Sequence, residues 1–197
     1  MTGPVHLGRL WTNGEPYLAL DSIQVPAWRG FTDDTYNTLV VPLPYTESAV
    51  TFEAGRAGVV GTDGVVGDEG WLEVFRTAPD RITVIQASGH WPYRDLLAAC
   101  LAHPADDDDR DGGVFEVTSG YLVILNAAMD GTGQYSGELR PAVAGEIPAE
   151  VSDRSGAADL AGLIIEAEPG SYHVITRWFT ALDDENSFAR WTLRHDR

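Results

Sequence analysis

The 197-residue chain carries 30 acidic side chains against 13 basic ones, a formal net charge of -17, and every basic residue is Arg. Such a surplus excludes nucleic acid and anionic membrane surfaces as partners, because both demand attraction toward negative charge. With 44% hydrophobic residues and 22% charged ones the chain still has the composition of a core-forming globular protein. No apolar run approaches the roughly 20 residues that cross a bilayer. The start, MTGPVHLGRLWTNGE, lacks a basic segment followed by an apolar one, and a single cysteine, Cys100, permits no internal disulfide. A cytoplasmic protein is the expectation.

Short β-branched and aromatic runs bounded by Gly, Pro and Asp predict strands over 17–20, 49–52, 71–76 and 81–86. From Pro92 to Ala102, Tyr93, Leu96, Leu97, Cys100 and Leu101 recur at steps of three and four, which predicts the one helix. The sharpest break follows: PADDDDRDGG, residues 104–113, holds five Asp and buries no apolar area, so it reads as a solvated linker. It divides the chain into an N-terminal lobe, 1–105, and a C-terminal sandwich-like lobe, 106–197, unless the two form one continuous domain. Strands are expected again over 114–117 and 121–125, with a tight turn at Ser119-Gly120 between them. Residues 130–162, rich in Gly, Pro, Ser and acids, read as a long irregular excursion. The last strands span 163–165, 172–179 and 188–193, the final two joined by the polar hairpin LDDENS. The pattern is that of a β-rich α+β protein, with antiparallel sheets in two lobes and one short helix near the end of the first half.

Motifs for chemistry are few. Asp107, Asp109, Asp111 and Gly112 begin a D-x-D-x-D-G calcium loop, but position twelve is Thr118 where a bidentate carboxylate is required. Cys100 and His103 make one C-x-x-H pair with no second pair at zinc spacing, and His6, His90, His173 and His195 are scattered. Without Lys there is no phosphate-binding Walker loop, and no G-x-S-x-G elbow is present. The glycines of GVVGTDGVVGDEG, residues 58–70, are spaced as turns, and Asp63, Asp68 and Glu69 would repel a phosphate. Cys100 sits on the apolar helix stripe as an inert thiol. Of six tryptophans, Trp71, Trp178 and Trp191 fit a core, whereas Trp28, just after Pro26, is expected to be partly exposed.

Taken in order, WTNGEPYLALDSIQVPAWRG, TDDTYNTLVVPL, GVVGDEG, PYRDLLAACLA, FEVTSGYLVILNAA and EAEPGSYHVITRWFTALDDENSFARWTLRH resemble immunity protein family 21 of bacterial polymorphic toxin systems. The shared features are an early strand into P-x-W-x-G, a G-D-E turn, a short helix, a P-G-x-Y-x-V strand and a final strand. The P-G-x-Y-x-V strand is also similar to one in a nuclease inhibitor of bacterial competence systems. Residues 134–161 have no counterpart in the family pattern, and the acidic linker is more highly charged. The resemblance implies a cognate protein toxin as partner, with neither catalysis nor cofactor.

The charge leads to the further expectation of a basic nuclease toxin, whose phosphate-holding surface an acidic inhibitor can occupy. The expected contact residues are Asp106, Asp107, Asp108, Asp109, Asp111, Asp183, Asp184 and Glu185, with Trp28 as an anchor. Two competing readings stand beside this one. A hydrolase of small or polysaccharide substrates would need a deep pocket holding two carboxylates whose pKa values are pushed apart. A calcium-dependent binding module would gain stability from its ion.

Overall fold

The computed structural model describes residues 3–61, 66–67, 69–151 and 160–196. Two six-stranded sheets face each other. In the first, the order is β1 (Val5–Thr12), β5 (Gly70–Ala78), β6 (Arg81–Ser88), β12 (Ser187–His195), β11 (Gly170–Ala181) and β7 (Arg110–Val117), and every pairing is antiparallel. The second runs β3 (Ala49–Phe52), β4 (Gly55–Val60), β2 (Tyr17–Asp21), β8 (Tyr121–Asn126), β10 (Leu160–Glu166) and β9 (Glu138–Pro141). Its only parallel pairing is β9 with β10. The β-rich α+β class expected from the sequence is the one observed.

The division at residue 105 is corrected. Each sheet takes three strands from either side of the acidic run, so the halves interleave in one sandwich. The Ser119-Gly120 turn exists, with Gly120 at φ +83°, but it does not close a hairpin. It carries the chain from β7 in one sheet to β8 in the other. Asp21 holds this crossing: its buried carboxylate accepts from Thr118 Oγ1 at 2.7 Å and from the Ser119 backbone at 3.1 Å. Burial pushes the Asp21 carboxyl up, and the hydrogen bonds of Ser119 and Thr118 outweigh it to hold the group below its ordinary range.

Alternation fixes which residues meet. Leu72 and Val74 of β5, Val174 of β11, and Trp191 and Leu193 of β12 point between the sheets, against Tyr17, Ala19, Leu122, Ile124 and Ile165. The outward face of the first sheet is half covered by α1 (Tyr93–Ala102), whose Tyr93, Leu96, Leu97 and Cys100 pack on Phe75, Ile85 and Phe188. The outward face of the second is covered by the chain between β2 and β3. There a 3-10 turn (Ser22–Ala27), capped by Asp21, and a π-helical turn (Tyr36–Val40) lay Val25, Trp28 and Val40 on Leu18, Leu20, Val59 and Val123.

This last cluster overturns the exposure expected of Trp28, which is 0% exposed. Its indole N–H donates to the Ala127 carbonyl at 3.0 Å, and its ring meets Phe52 edge-on at 5.4 Å. The capped turn swings the chain back across the sheet, so the residue after Pro26 points inward. Trp71 and Trp191 are core residues, and Trp178 is half-buried against the core. The stretch 130–162 is tied down where it is described: Asp130 is buried and accepts from the Phe31 and Thr32 backbones, and β9 joins a sheet. Residues 152–159 of that stretch, and Asp63 and Asp68 of the Gly-rich run, lie outside the described residues.

Candidate functional site

The five-Asp run crosses the outward face of the first sheet, leaving the C-terminus of α1 and ending in edge strand β7. Two arginines hold it there. Arg177 of β11 and Arg190 of β12 are paired in register, and both side chains are almost wholly buried. Arg177 Nε donates to Asp109 Oδ1 at 3.0 Å, while its Nη2 reaches Asp106 Oδ1 and its Nη1 lies 4.0 Å from Asp108. Arg190 Nη1 donates to the carbonyls of Cys100 and His103 at 3.2 and 2.8 Å, capping the helix C-terminus, and Nη2 donates to Asp109 at 3.4 Å.

Burial works against the charge of Arg177, and Asp109 and Asp106 more than restore it. The Asp108 backbone N–H, followed by Arg177, holds Asp106 below its ordinary range. What composition reads as a solvated linker is therefore a strap fastened by buried cations.

The strap continues into β7. Asp111 Oδ2 lies 2.6 Å from His173 Nδ1, and Asp196 Oδ2 lies 2.9 Å from the ring's other nitrogen. Gly112 presses on β3, its carbonyl accepting from Ser48 N at 2.7 Å, and a Cβ there would stand 2.6 Å from the Ser48 side chain. The glycines that look like a calcium-loop turn are needed for this close approach of two edges. The carboxylates of the same motif turn to different cations, Asp109 to Arg177 and Arg190, Asp111 to His173. Among the described residues no three His, Cys, Asp or Glu side chains converge as a metal site would require.

The second acidic cluster caps the β11–β12 hairpin. Asp183 Oδ1 accepts from the backbones of Glu185 and Asn186 at 2.9 and 2.7 Å, and these bonds lower its pKa, Glu185 first. Asn186 Oδ1 in turn accepts from the His90 and Trp91 backbones at 3.0 and 3.1 Å. Asp183, Asp184 and Glu185 are all exposed.

The strap and the hairpin tip share β11. Asp183 lies six positions after Arg177, so their Cα atoms are at most roughly 20 Å apart. On the face opposite Arg177, its neighbour Trp178 lines an apolar cleft of about 360 Å³ with Pro16, Tyr36, Val40, Leu43 and Tyr45. Tyr45, Val41 and the nearby Phe179 are exposed at 70, 59 and 60%. The end of β11 thus gathers an acidic strap, an acidic tip and an uncovered apolar cleft. Trp28, the expected anchor, does not join them.

One buried polar cluster has no motif in the sequence. Glu73 on β5 is 0% exposed, and its Oε1 accepts from Arg9 Nη2 at 2.7 Å and from the Tyr93 hydroxyl at 2.9 Å. Its Oε2 lies 2.7 Å from His6 Nε2. Burial and then the Glu73 charge push the Tyr93 hydroxyl well above its ordinary value, so it stays a donor. The available signal was alternation, which places Glu73 on the same face as Trp71 and Phe75.

Compared with protein-family models, with curated proteins and with solved structures, the chain gives no match. Among the described residues no helix is long and apolar enough to cross a membrane.

Proposed function

We propose that the chain is a cytoplasmic immunity protein, of the kind its sequence resembles, that neutralises a cognate bacterial toxin by binding it. The observation that carries this reading is the placement of charge. Of the described acids only Asp21, Glu73 and Asp130 are buried, so nearly the whole surplus faces outward. Asp107, Asp184 and Glu185 make no side-chain hydrogen bond or ion pair in the described structure. Carboxylates left free in this way can steer a basic partner without disturbing the fold, raising association rates by about 10 to 1000-fold.

Steering sets the rate, and affinity comes from desolvated anchors. With Trp28 buried, the apolar cleft beside Trp178, rimmed by Tyr45 and Glu47, supplies the place for them. A basic nuclease toxin fits this surface best, because a surface that holds phosphates offers the cations the acids would meet.

The hydrolase alternative has less to stand on. All five described carboxylates with a displaced pKa, Asp21, Asp106, Asp130, Glu138 and Asp183, are displaced downward, away from a general acid.

The test is to mix the full chain with the toxin domain encoded beside its gene. A stable complex at low salt that weakens as salt rises, together with protection of cells expressing the toxin, is the expected result. The triple variant Asp107→Asn, Asp184→Asn, Glu185→Gln should fold normally and associate at least tenfold more slowly. Absence of a complex at low salt and of protection would overturn the proposal.

A further inference from the structure

The outward face of the first sheet is only half covered by α1. Beyond the C-terminus of that helix lies a cleft of about 400 Å³ whose lining includes Thr83, Thr192, Arg81, Arg190, Arg194 and His103. In a chain of net charge -17 a concentration of three arginines is unexpected, and its geometry is specific. Arg194 of β12 stands directly opposite Arg81 of β6, and the next outward-facing pair is Thr192 opposite Thr83.

Like charges directly opposite on adjacent strands repel and destabilise the pair. Neither Arg81 nor Arg194 has an ion-pair partner in the described structure, whereas Arg9, Arg177 and Arg190 are each matched to a carboxylate. Among the described residues the one carboxylate that lines the cleft, Asp109, is already held by Arg177 and Arg190.

Hydroxyls complete the setting. Thr83 is buried and its Oγ1 lies 2.9 Å from Thr77 Oγ1; with Thr77 as the donor of that pair, the Thr83 hydroxyl can donate toward the cleft. The Thr192 hydroxyl is half-buried at the cleft wall and makes no hydrogen bond in the described structure.

We infer that this cleft is an oxyanion site, taking a phosphoryl group between Arg81 and Arg194 with the Thr83 and Thr192 hydroxyls as further donors. Guanidinium groups suit this ligand, since each offers a planar pair of N–H donors matched to two phosphate oxygens. Bound there, the dianion relieves the Arg81–Arg194 repulsion. The distant acids of the molecule oppose it little at physiological salt, where charges more than about 8 Å apart are largely screened. The two arginines that would hold the group lie at the start of β6 and the far end of β12, away from the hairpin tip, while the cleft shares its wall with the strap at Asp109. The group can be a free ion or a monoester on a larger molecule.

The full chain is titrated with inorganic phosphate and separately with glycerol phosphate, at constant ionic strength, while backbone amide shifts are followed by NMR. Saturable shifts confined to residues around Thr83, Thr192 and His103 are expected, with tighter binding of the ester marking a carried group and equal binding a free ion. Arg81→Ala and Arg194→Ala, both at exposed positions, should each weaken binding at least tenfold. Thr192→Val should weaken it about threefold, and Arg56→Ala on β4 should leave it unchanged. Shifts that never saturate, or binding that survives the Arg81→Ala, Arg194→Ala double variant, would overturn the assignment.

Discussion

Arg177 and Arg190 stand directly opposite each other on β11 and β12 and share one acceptor, Oδ1 of Asp109. Two buried guanidinium groups in that register would repel each other, so Asp109 is what lets both remain inside. Asp109→Asn keeps the shape and removes the charge, and should cost about 2–4 kcal/mol in a denaturant titration. Asp106→Asn should cost distinctly less, because the Asp106 side chain is half exposed and water can replace it at Arg177. Equal losses for the two variants would show that Asp109 has no special place between the arginines.

The same strap carries a pH dependence. Hydrogen bonds to Asp111, then to Asp196, raise the His173 pKa above its ordinary value. A folded value above the unfolded one means the contribution is complete below the unfolded value of about 6.5. It is lost as pH climbs through the folded value. The lowered carboxyls of Asp21, Asp106 and Asp130 run the other way, contributing fully above about pH 4 and losing it as pH falls through their folded values. The melting temperature should therefore decline on the alkaline side from just above pH 6.5. His173→Gln should flatten that decline and leave the acid limb in place; identical alkaline slopes in the two proteins would refute the assignment.

Glu73 is the sole described carboxylate buried within the packing between α1 and the first sheet, and it serves His6, Arg9 and Tyr93 at once. Its removal strands cationic and polar groups away from water. Glu73→Ala should cost about 3–5 kcal/mol. Tyr93→Phe, which deletes one donor of three, should cost only about 1 kcal/mol. Urea midpoints of the two variants check the ranking, and a Tyr93→Phe loss as large as that of Glu73→Ala would place the stability in the hydroxyl instead.

How far these features could be read from residue order depends on whether the signal was local. Nine strands announce themselves through β-branched or aromatic runs, and the helix through its period of three and four, because both patterns depend on neighbours in sequence. β1 carries no such local signal, since its alternation is broken at Gly8, where the register shifts between His6 and Gly8. β4 was obscured by Gly55 and Gly58, of which Gly58 lies under Phe115 and Val174 of the other sheet. Composition made the five-Asp run a linker, and only tertiary structure supplies the two arginines, 68 to 81 positions away from Asp109, that fasten it. Trp28 fails for the same reason, its hydrogen-bond acceptor lying 99 positions away.

The approach of β7 to β3 gives a paired test of backbone packing. A Cβ on Gly112 would fall 2.6 Å from the Ser48 side chain and 2.8 Å from its backbone nitrogen, neither of which can move without parting the edges. Gly112→Ala should therefore cost about 2–3 kcal/mol. Gly133, at φ +92° with nothing within 4 Å of an added Cβ, isolates the conformational part, and Gly133→Ala should cost about 1 kcal/mol. Thermal denaturation of both variants separates steric closeness from dihedral strain, and a Gly133→Ala loss exceeding that of Gly112→Ala would reverse the argument.

Cys100 lies on the buried stripe of α1, 0% exposed among Phe75, Ile85 and Phe188. Burial pushes its thiol up to about 12, because the thiolate would have to form in an apolar layer. At pH 8 the folded protein should then react with an aromatic disulfide reagent only over hours, while denatured protein reacts within minutes. The residual native rate should track the unfolded population, so destabilising Asp109→Asn should accelerate it in proportion to its loss of stability. A native rate independent of that variant would mean the thiol is reached through a local opening of α1 rather than through unfolding of the sandwich.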